Sequence, residues 1–186
     1  IKSFIFLFIS FVVLLIGLYT YAYLSPKLDL KTSGSLYLYD NKNDLVYQGS
    51  RSNEWANLED ISDNLKNAVI AVEDKNFYNH HGFDYLRIAK AMLTNIKKKS
   101  IVQGASTISQ QYIKNLYLDF DKTWKRKAEE AMLTLELEVH YDKDDILEGY
   151  LNTINYGQGN MGIVNASSYY FNKKPSELTL EEAIML

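Results

Sequence analysis

Every position from Ser3 to Pro26 lacks a charged side chain, and Phe4 to Leu24 are almost all apolar or aromatic. About 20 helical residues cross the hydrocarbon core of a bilayer, so this run is long enough to span one. A secretory signal has a shorter apolar core and small residues at its cleavage site, whereas Tyr21-Ala22-Tyr23 places bulky rings there. Tyr19, Tyr21 and Tyr23 suit an interfacial aromatic belt, and the run is read as a transmembrane anchor rather than a buried core helix. Lys2 is the only charge before it, which leaves the positive-inside rule little to weigh.

The pattern then changes twice. Ser35-Leu36-Tyr37-Leu38-Tyr39 and Asp44-Leu45-Val46-Tyr47-Gln48 flank Asp40-Asn41-Lys42-Asn43, β-prone runs around a turn that predict a small hairpin. From Ile61 the period is helical. Ser62 to Tyr78 places Leu65, Val69 and Val72 on one face, with Ser62 or Asp63 as N-cap. Asp84 to Lys99 repeats this with Ile88, Met92 and Ile96, and Lys97-Lys98-Lys99 fill its last turn. The lysines suit a helix C-terminus and equally a surface of anionic headgroups.

Thr107-x-x-Gln110 predicts a capping box and a helix to about Leu118. Asp121 opens a longer one, Lys122 to Tyr141, with the stripe Trp124, Ala128, Leu135 and Val139. Asp142 caps a helix through Leu151, and Gly157, Gly159 and Gly162 interrupt. Ile163 to Phe171 follows, and Thr179-x-x-Glu182 caps a last helix reaching the chain end, from which a longer parent protein is expected. The expected organisation is an anchor over 1–25, a linker with the hairpin over 26–60 and a mainly α domain over 61–186.

Composition narrows the chemistry. The 186 residues are 47% hydrophobic and 23% charged, the signature of a folding chain. A net charge of −3 argues against a nucleic-acid binder. No cysteine is present, so neither a disulfide framework nor a thiolate zinc site can form. Three histidines are too few for a histidine-rich metal site, and fifteen tyrosines suit apolar grooves with one wet end.

The candidate chemistry begins at Glu73-Asp74-Lys75-Asn76-Phe77-Tyr78-Asn79-His80-His81-Gly82, directly after the apolar run Ala68 to Val72. A carboxylate leaving a buried apolar segment is where desolvation can tune a general base. Gly104-Ala105-Ser106-Thr107-Ile108-Ser109-Gln110-Gln111 follows, then Lys114, then Arg126-Lys127-Ala128-Glu129-Glu130. Tyr150-Leu151-Asn152 and Tyr156-Gly157-Gln158-Gly159 complete the series. Four motifs in this order, from about Leu36 onward, resemble the peptidoglycan glycosyltransferases. These are the membrane-anchored domain of class A penicillin-binding proteins and the monofunctional transglycosylases.

That resemblance implies a lysozyme-like helical fold and an inverting glycosyl transfer on the outer face of the bacterial membrane. A lipid-linked disaccharide-peptide would be joined to the growing glycan strand, with polyprenyl pyrophosphate released. Glu73 matches the family's general base, and Glu130 its second glutamate, a supporting group that orients Arg126 or binds a divalent cation. Magnesium or manganese at the pyrophosphate is plausible on the same ground. Lys114, Arg126 and Lys127 are the candidates for holding the pyrophosphate, as a bidentate fork and point charges suit phosphate oxygens. Lys122 and Lys125 are read as solvated.

Ser106, Gln110 and Gln111 are carried over as cleft residues, and Asn152, Gly157 and Gly159 as the far wall. Asp74 carries a structural and a catalytic reading; His80 is either packed and hydrogen-bonded or a proton carrier. Lys75, Ser109 and Asn155-Tyr156-Gly157 depart from the family's commoner residues. The resemblance also implies cell-wall synthesis partners. Rival readings are a hydrolase or lytic transglycosylase, which needs an acid at a glycosidic oxygen and has no use for the cations, and an inactive membrane scaffold.

Overall fold

The apolar N-terminal run folds as one helix, α1 (Lys2–Leu24). The computed structural model describes residues 2–30, 37–40, 45–48, 54–100, 102, 104–118 and 123–186. Among them α1 is the one helix long and apolar enough to cross a bilayer. Its end is not a free tether. Pro26 has no N–H, so the carbonyl of Ala22 lacks its usual i+4 donor. His140 Nε2, 118 residues away, donates to that carbonyl at 3.0 Å, and Ala22 is buried in the contact.

The exit segment is stapled in the same way. The hydroxyls of Tyr141, Tyr117 and Tyr112 donate to the carbonyls of Leu28, Asp29 and Leu30, the last at 2.9 Å. Lys27 lies over the Tyr141 ring, 5.2 Å from its centroid. Burial pushes the Tyr112 hydroxyl's pKa up, which keeps it a donor.

Strands β1 (Tyr37–Tyr39) and β2 (Leu45–Gln48) pair antiparallel, with Leu38 opposite Tyr47. Residues 35–36 and 41–44, the remainder of the expected hairpin, lie outside the described residues.

Helix α2 (Asp63–Glu73) starts at Ser62, whose Oγ accepts from Leu65 N. The pattern predicts helix to Tyr78, but the chain leaves it at Asp74 (φ −158°, ψ 71°) and makes a 3-10 turn at Phe77–Asn79. Two anchors end the helix early: the Asp74 carboxylate turns inward and Phe77 is wholly buried. Helix α3 (Tyr85–Lys98) is capped by Asp84, which accepts from Arg87 N, and closes on Lys99 in the left-handed region. Only Ala91 is buried on it. The stripe Ile88, Met92 and Ile96 faces away from the core, with Met92 63% exposed.

Helix α4 (Ile108–Tyr117) carries the expected Thr107–Gln110 capping box and is the buried centre, packed by α5 (Trp124–His140) and α6 (Lys143–Thr153). Helices α7 (Ile163–Phe171) and α8 (Leu180–Met185) close the far side, α7 on α6 and α8 on α2. Leu65, Phe77, Ile108, Tyr112, Ile113, Leu137, Ile146, Leu147, Leu151 and Ile163 have no exposed surface. Each such aliphatic or aromatic side chain contributes about 1.5–3 kcal/mol on burial.

The expected stripe of α5 is rotated. Trp124 is 92% exposed, and the buried positions are Glu130, Thr134, Glu136 and Leu137. The cap is Thr123, which accepts from Arg126 N; Asp121 and Lys122 lie outside the described residues. Thr134 satisfies itself on the carbonyl of Glu130 at 2.7 Å. The face that turns inward is therefore polar, because it serves the site and the anchor.

Gly149 on α6 is where α4 and α6 touch most closely. A Cβ there would fall into the ring and hydroxyl of the fully buried Tyr112. Gly149→Ala is expected to lower stability by about 1–3 kcal/mol, the range for an overpacked core. Thermal unfolding in detergent checks this, and an unchanged midpoint would show that Tyr112 can move.

Candidate active site

Asp74 has no exposed surface. A buried carboxylate must be met by donors, and it draws them from three segments. His80 Nε2 lies 3.0 Å from Oδ2, Ile108 N donates to Oδ2 at 3.1 Å, and Arg87 Nη1 stands 3.7 Å from Oδ1. The Ile108 contact places the anion at the first turn of α4, where the helix dipole favours it. His80 Nδ1 is buried without a hydrogen-bond partner, and Nε2, which faces the carboxylate, is the ring nitrogen that donates. These are the structural side of both open readings: Asp74 ties segments together, and His80 is packed and hydrogen-bonded.

Gly82 completes the turn. Its φ is 80°, a Cβ there would come within 2.9 Å of Thr134 Cγ2, and its carbonyl accepts from Thr107 Oγ1 at 2.7 Å. The spacing from Glu73 to Gly82 thus returns the chain to the cap of α4.

Glu73 is the last residue of α2 and is half-buried. The apolar run before it does not enclose it as expected. Ala68, Val69 and Ile70 are half-buried, Ala71 is exposed and Val72 is 79% exposed. Directed contacts hold Glu73 instead. Gln111 Nε2 donates to its Oε2 at 2.7 Å, and Arg87 Nη1 donates to its backbone carbonyl. Gln111 Oε1 in turn accepts from the Tyr150 hydroxyl at 3.2 Å. Burial, and then the Glu73 charge, raise the Tyr150 pKa, so this hydroxyl stays a donor and turns the Gln111 amide nitrogen toward Glu73.

Glu130 is 3% exposed and sits under a second group. Gln110 Nε2 donates to Oε1 at 3.3 Å, Arg126 Nη1 to Oε2 at 3.3 Å, and Lys127 Nζ to Oε1. Consecutive glutamines of α4 therefore reach the two glutamates, Gln111 to Glu73 and Gln110 to Glu130. Lys114 follows on that side of α4, one turn on, half-buried and with no side-chain partner among the described residues. Ser106 is exposed just before the α4 cap.

The Glu130 oxygens face an arginine and a lysine, and among the described residues no group of three or more His, Asp or Glu converges. Asn152 holds the segment before α2. Its Nδ2 donates to the carbonyls of Ala56 and Glu148, both at 2.8 Å, and its Oδ1 accepts from Ala56 N at 2.9 Å. Glu148, one turn earlier, accepts from Trp55 Nε1 at 2.7 Å and Leu58 N at 2.8 Å. The pair clamps the segment that leads into α2. Gly157 and Gly159 are exposed with positive φ.

Sequence reading gives no role to Arg87, Tyr150 or Glu148, although Tyr150 lies in a quoted motif. The i,i+4 spacing of Glu148 and Asn152 was the available signal for the clamp; nothing local marks Arg87.

The two adjacent carboxylates should part company on mutation. Asp74→Ala strands buried donors and is expected to cost about 3–5 kcal/mol. Glu73→Ala removes one hydrogen bond at a half-buried site, for about 1 kcal/mol. Denaturant unfolding of both variants checks the contrast, and equal losses would refute it.

Comparison with known proteins identifies the family. The transglycosylase family profile matches residues 41–186. Penicillin-binding protein 2D of Bacillus subtilis (strain 168) is 49% identical over 162 residues, covering 87% of this chain and 23% of the relative. Penicillin-binding protein 1A of Neisseria lactamica is 44% identical over 161 residues, 87% of this chain and 20% of the relative. Penicillin-binding protein 1F of Bacillus subtilis (strain 168) is 42% identical over 137 residues, 74% of this chain and 19% of the relative. The chain thus spans a fifth to a quarter of the length of these relatives, over the stretch that holds Glu73, Lys114, Arg126 and Glu130, and it belongs to the transglycosylase family.

Proposed function

We propose that this domain polymerises a lipid-linked disaccharide-peptide precursor into peptidoglycan glycan strands. The observation that carries the reading is a half-buried carboxylate, Glu73, oriented by Gln111, whose neighbour Gln110 reaches the Glu130 that pairs with Arg126 and Lys127. Glu73 takes the proton from the acceptor sugar's 4-hydroxyl. The hydroxyl oxygen bonds to the donor's anomeric carbon, and the bond from that carbon to the pyrophosphate oxygen breaks with its electron pair. Arg126, Lys114 and Lys127 meet the charge on the departing polyprenyl pyrophosphate. The proton on Glu73 then passes to water. Inversion follows from base and leaving group lying on opposite faces of the sugar.

Membrane placement fits the same reading. Helix α3 exposes Tyr85, Leu86, Met92, Leu93 and Ile96 and ends in Lys97, Lys98 and Lys99. An apolar face with terminal lysines lies well at a bilayer surface, where each Lys contributes about 1 kcal/mol near anionic lipid. With α1 as the anchor, the domain would work on the outer face of the bacterial membrane, with the growing glycan strand and other cell-wall enzymes as partners.

Two outcomes are expected. Glu73→Gln should lower polymerisation by about 10²–10⁴-fold, the contribution of a positioned general base, with helicity intact by circular dichroism. Retention of more than a tenth of wild-type turnover would remove Glu73 from the role. Met92→Asp with Ile96→Asp should raise the KM for lipid-linked substrate while leaving helicity unchanged; an unaltered KM would take α3 off the bilayer.

A further inference from the structure

The two glutamines that reach the glutamates end in amides, and an amide can turn over without changing its shape. In one orientation its N–H faces the carboxylate; in the other its carbonyl oxygen does. The donor that occupies the oxygen decides between them. For Gln110 that donor is backbone: Thr107 N donates to its Oε1 at 3.2 Å while its Nε2 meets Glu130. For Gln111 it is a single side chain, the Tyr150 hydroxyl, also at 3.2 Å.

Tyr150 is 3% exposed on α6, and among the described residues its hydroxyl bonds to Gln111 alone. Turning the amide over would leave a buried O–H without an acceptor, which is costly. Burial, and after it the Glu73 charge, keeps the hydroxyl protonated. The residue before it, Gly149, lets α6 come close to Tyr112 on α4, so helix packing sets the reach from Tyr150 to Gln111.

The orientation of Gln111 divides the work of the Glu73 oxygens. Oε2 accepts from Gln111 Nε2 at 2.7 Å, and Oε1 has no hydrogen-bond partner among the described residues. Oε1 is therefore the oxygen open to the proton of the sugar hydroxyl. While Glu73 is ionised, its charge draws the amide N–H. Once Glu73 has taken the proton, the carboxylic acid pairs equally well with an amide oxygen, and a reversed Gln111 would hold the acid form. We infer that Tyr150 is a positioning residue for polymerisation, fixing the Gln111 amide so that Glu73 keeps Oε1 open and returns to its ionised form for each cycle. This rests on the polymerase reading given above.

A double-mutant cycle tests it, with the full chain in detergent micelles and lipid-linked disaccharide-peptide as substrate. Tyr150→Phe keeps the ring and removes the hydroxyl. It is expected to lower kcat about tenfold, the scale of one charge-assisted hydrogen bond, with KM within twofold of wild type. Gln111→Met should lower kcat at least as far. Adding Tyr150→Phe to it should change kcat by less than twofold, because a residue that acts through Gln111 then has nothing to act on. Thermal unfolding of the same samples reports packing separately.

A kcat for Tyr150→Phe within twofold of wild type, a rise in KM in place of the fall in kcat, or losses that multiply in the double variant would each overturn the assignment. Gln111→Glu keeps an oxygen for Tyr150 but has no N–H for Glu73, and it decides the matter if Tyr150→Phe does not fold. A kcat as low as that of Gln111→Met supports the inference, and one above half of wild type refutes it. No turnover by the wild-type protein would refute the polymerase reading itself, and this inference with it; an active wild type with an unaffected Tyr150→Phe refutes this inference alone.

Discussion

A carboxylate without access to water has to be satisfied by the protein, and Asp74 is that constraint here. Its partners come from the 77–80 turn, the start of α4 and α3, so the ends of three elements are fixed by one group. The geometry of Glu73 depends on this. Adjacent residues on a helix point in different directions, and the chain separates this pair further by leaving the helix at Asp74. One carboxylate is drawn inward and holds the frame. Its neighbour is left at the helix end, facing Gln111 across a distance that the frame sets.

Helix α5 shows a related economy of buried charge. Glu130 meets Arg126, Lys127 and Gln110; Glu138 meets Lys143 at 2.7 Å and the Ser109 hydroxyl; Glu136 accepts from Ser25 at 3.5 Å. Buried ion pairs are weak contributors to stability, since desolvation offsets their attraction. What they supply here is position. Glu130 fixes the arginine and lysine proposed to meet the leaving group, and Glu138 with Ser109 joins α5 to α4. Lys143 also lies 4.6 Å from the centroid of the buried Phe77 ring, which links the motif phenylalanine to the same network.

How much of this was legible in the sequence follows from the range of each interaction. The anchor, the α4 capping box, α7 and the mainly α character rest on local patterns, and they were readable. The end of α2 was not, because its apolar period runs through Asp74, and the helix ends there through the contacts of Asp74 with Ile108 and His80 and the burial of Phe77. The α5 stripe misled for a similar reason. Trp124 is apolar yet exposed, and Glu130 is charged yet buried, since its partners include a residue on another helix. In the candidate site, the motifs marked Glu73, Gln110, Gln111, Arg126 and Glu130. They did not mark Arg87, whose role is visible only once α3 lies against the end of α2, nor the use of Asn152 as a clamp on Ala56.

The bond from His140 to the carbonyl of Ala22 has a consequence for the anchor. A helix advances about 1.5 Å and turns about 100° with each residue. Because the last turn of α1 is docked on α5, that rotation is referred to the catalytic domain and not averaged away by a loose tether. Inserting or deleting a single residue just before Ala22 would swing every upstream side chain to a new azimuth around the helix axis. The apolar helix is therefore phased as well as long: the azimuth of each of its outward-facing side chains is referred to the helical domain by a hydrogen bond at its base.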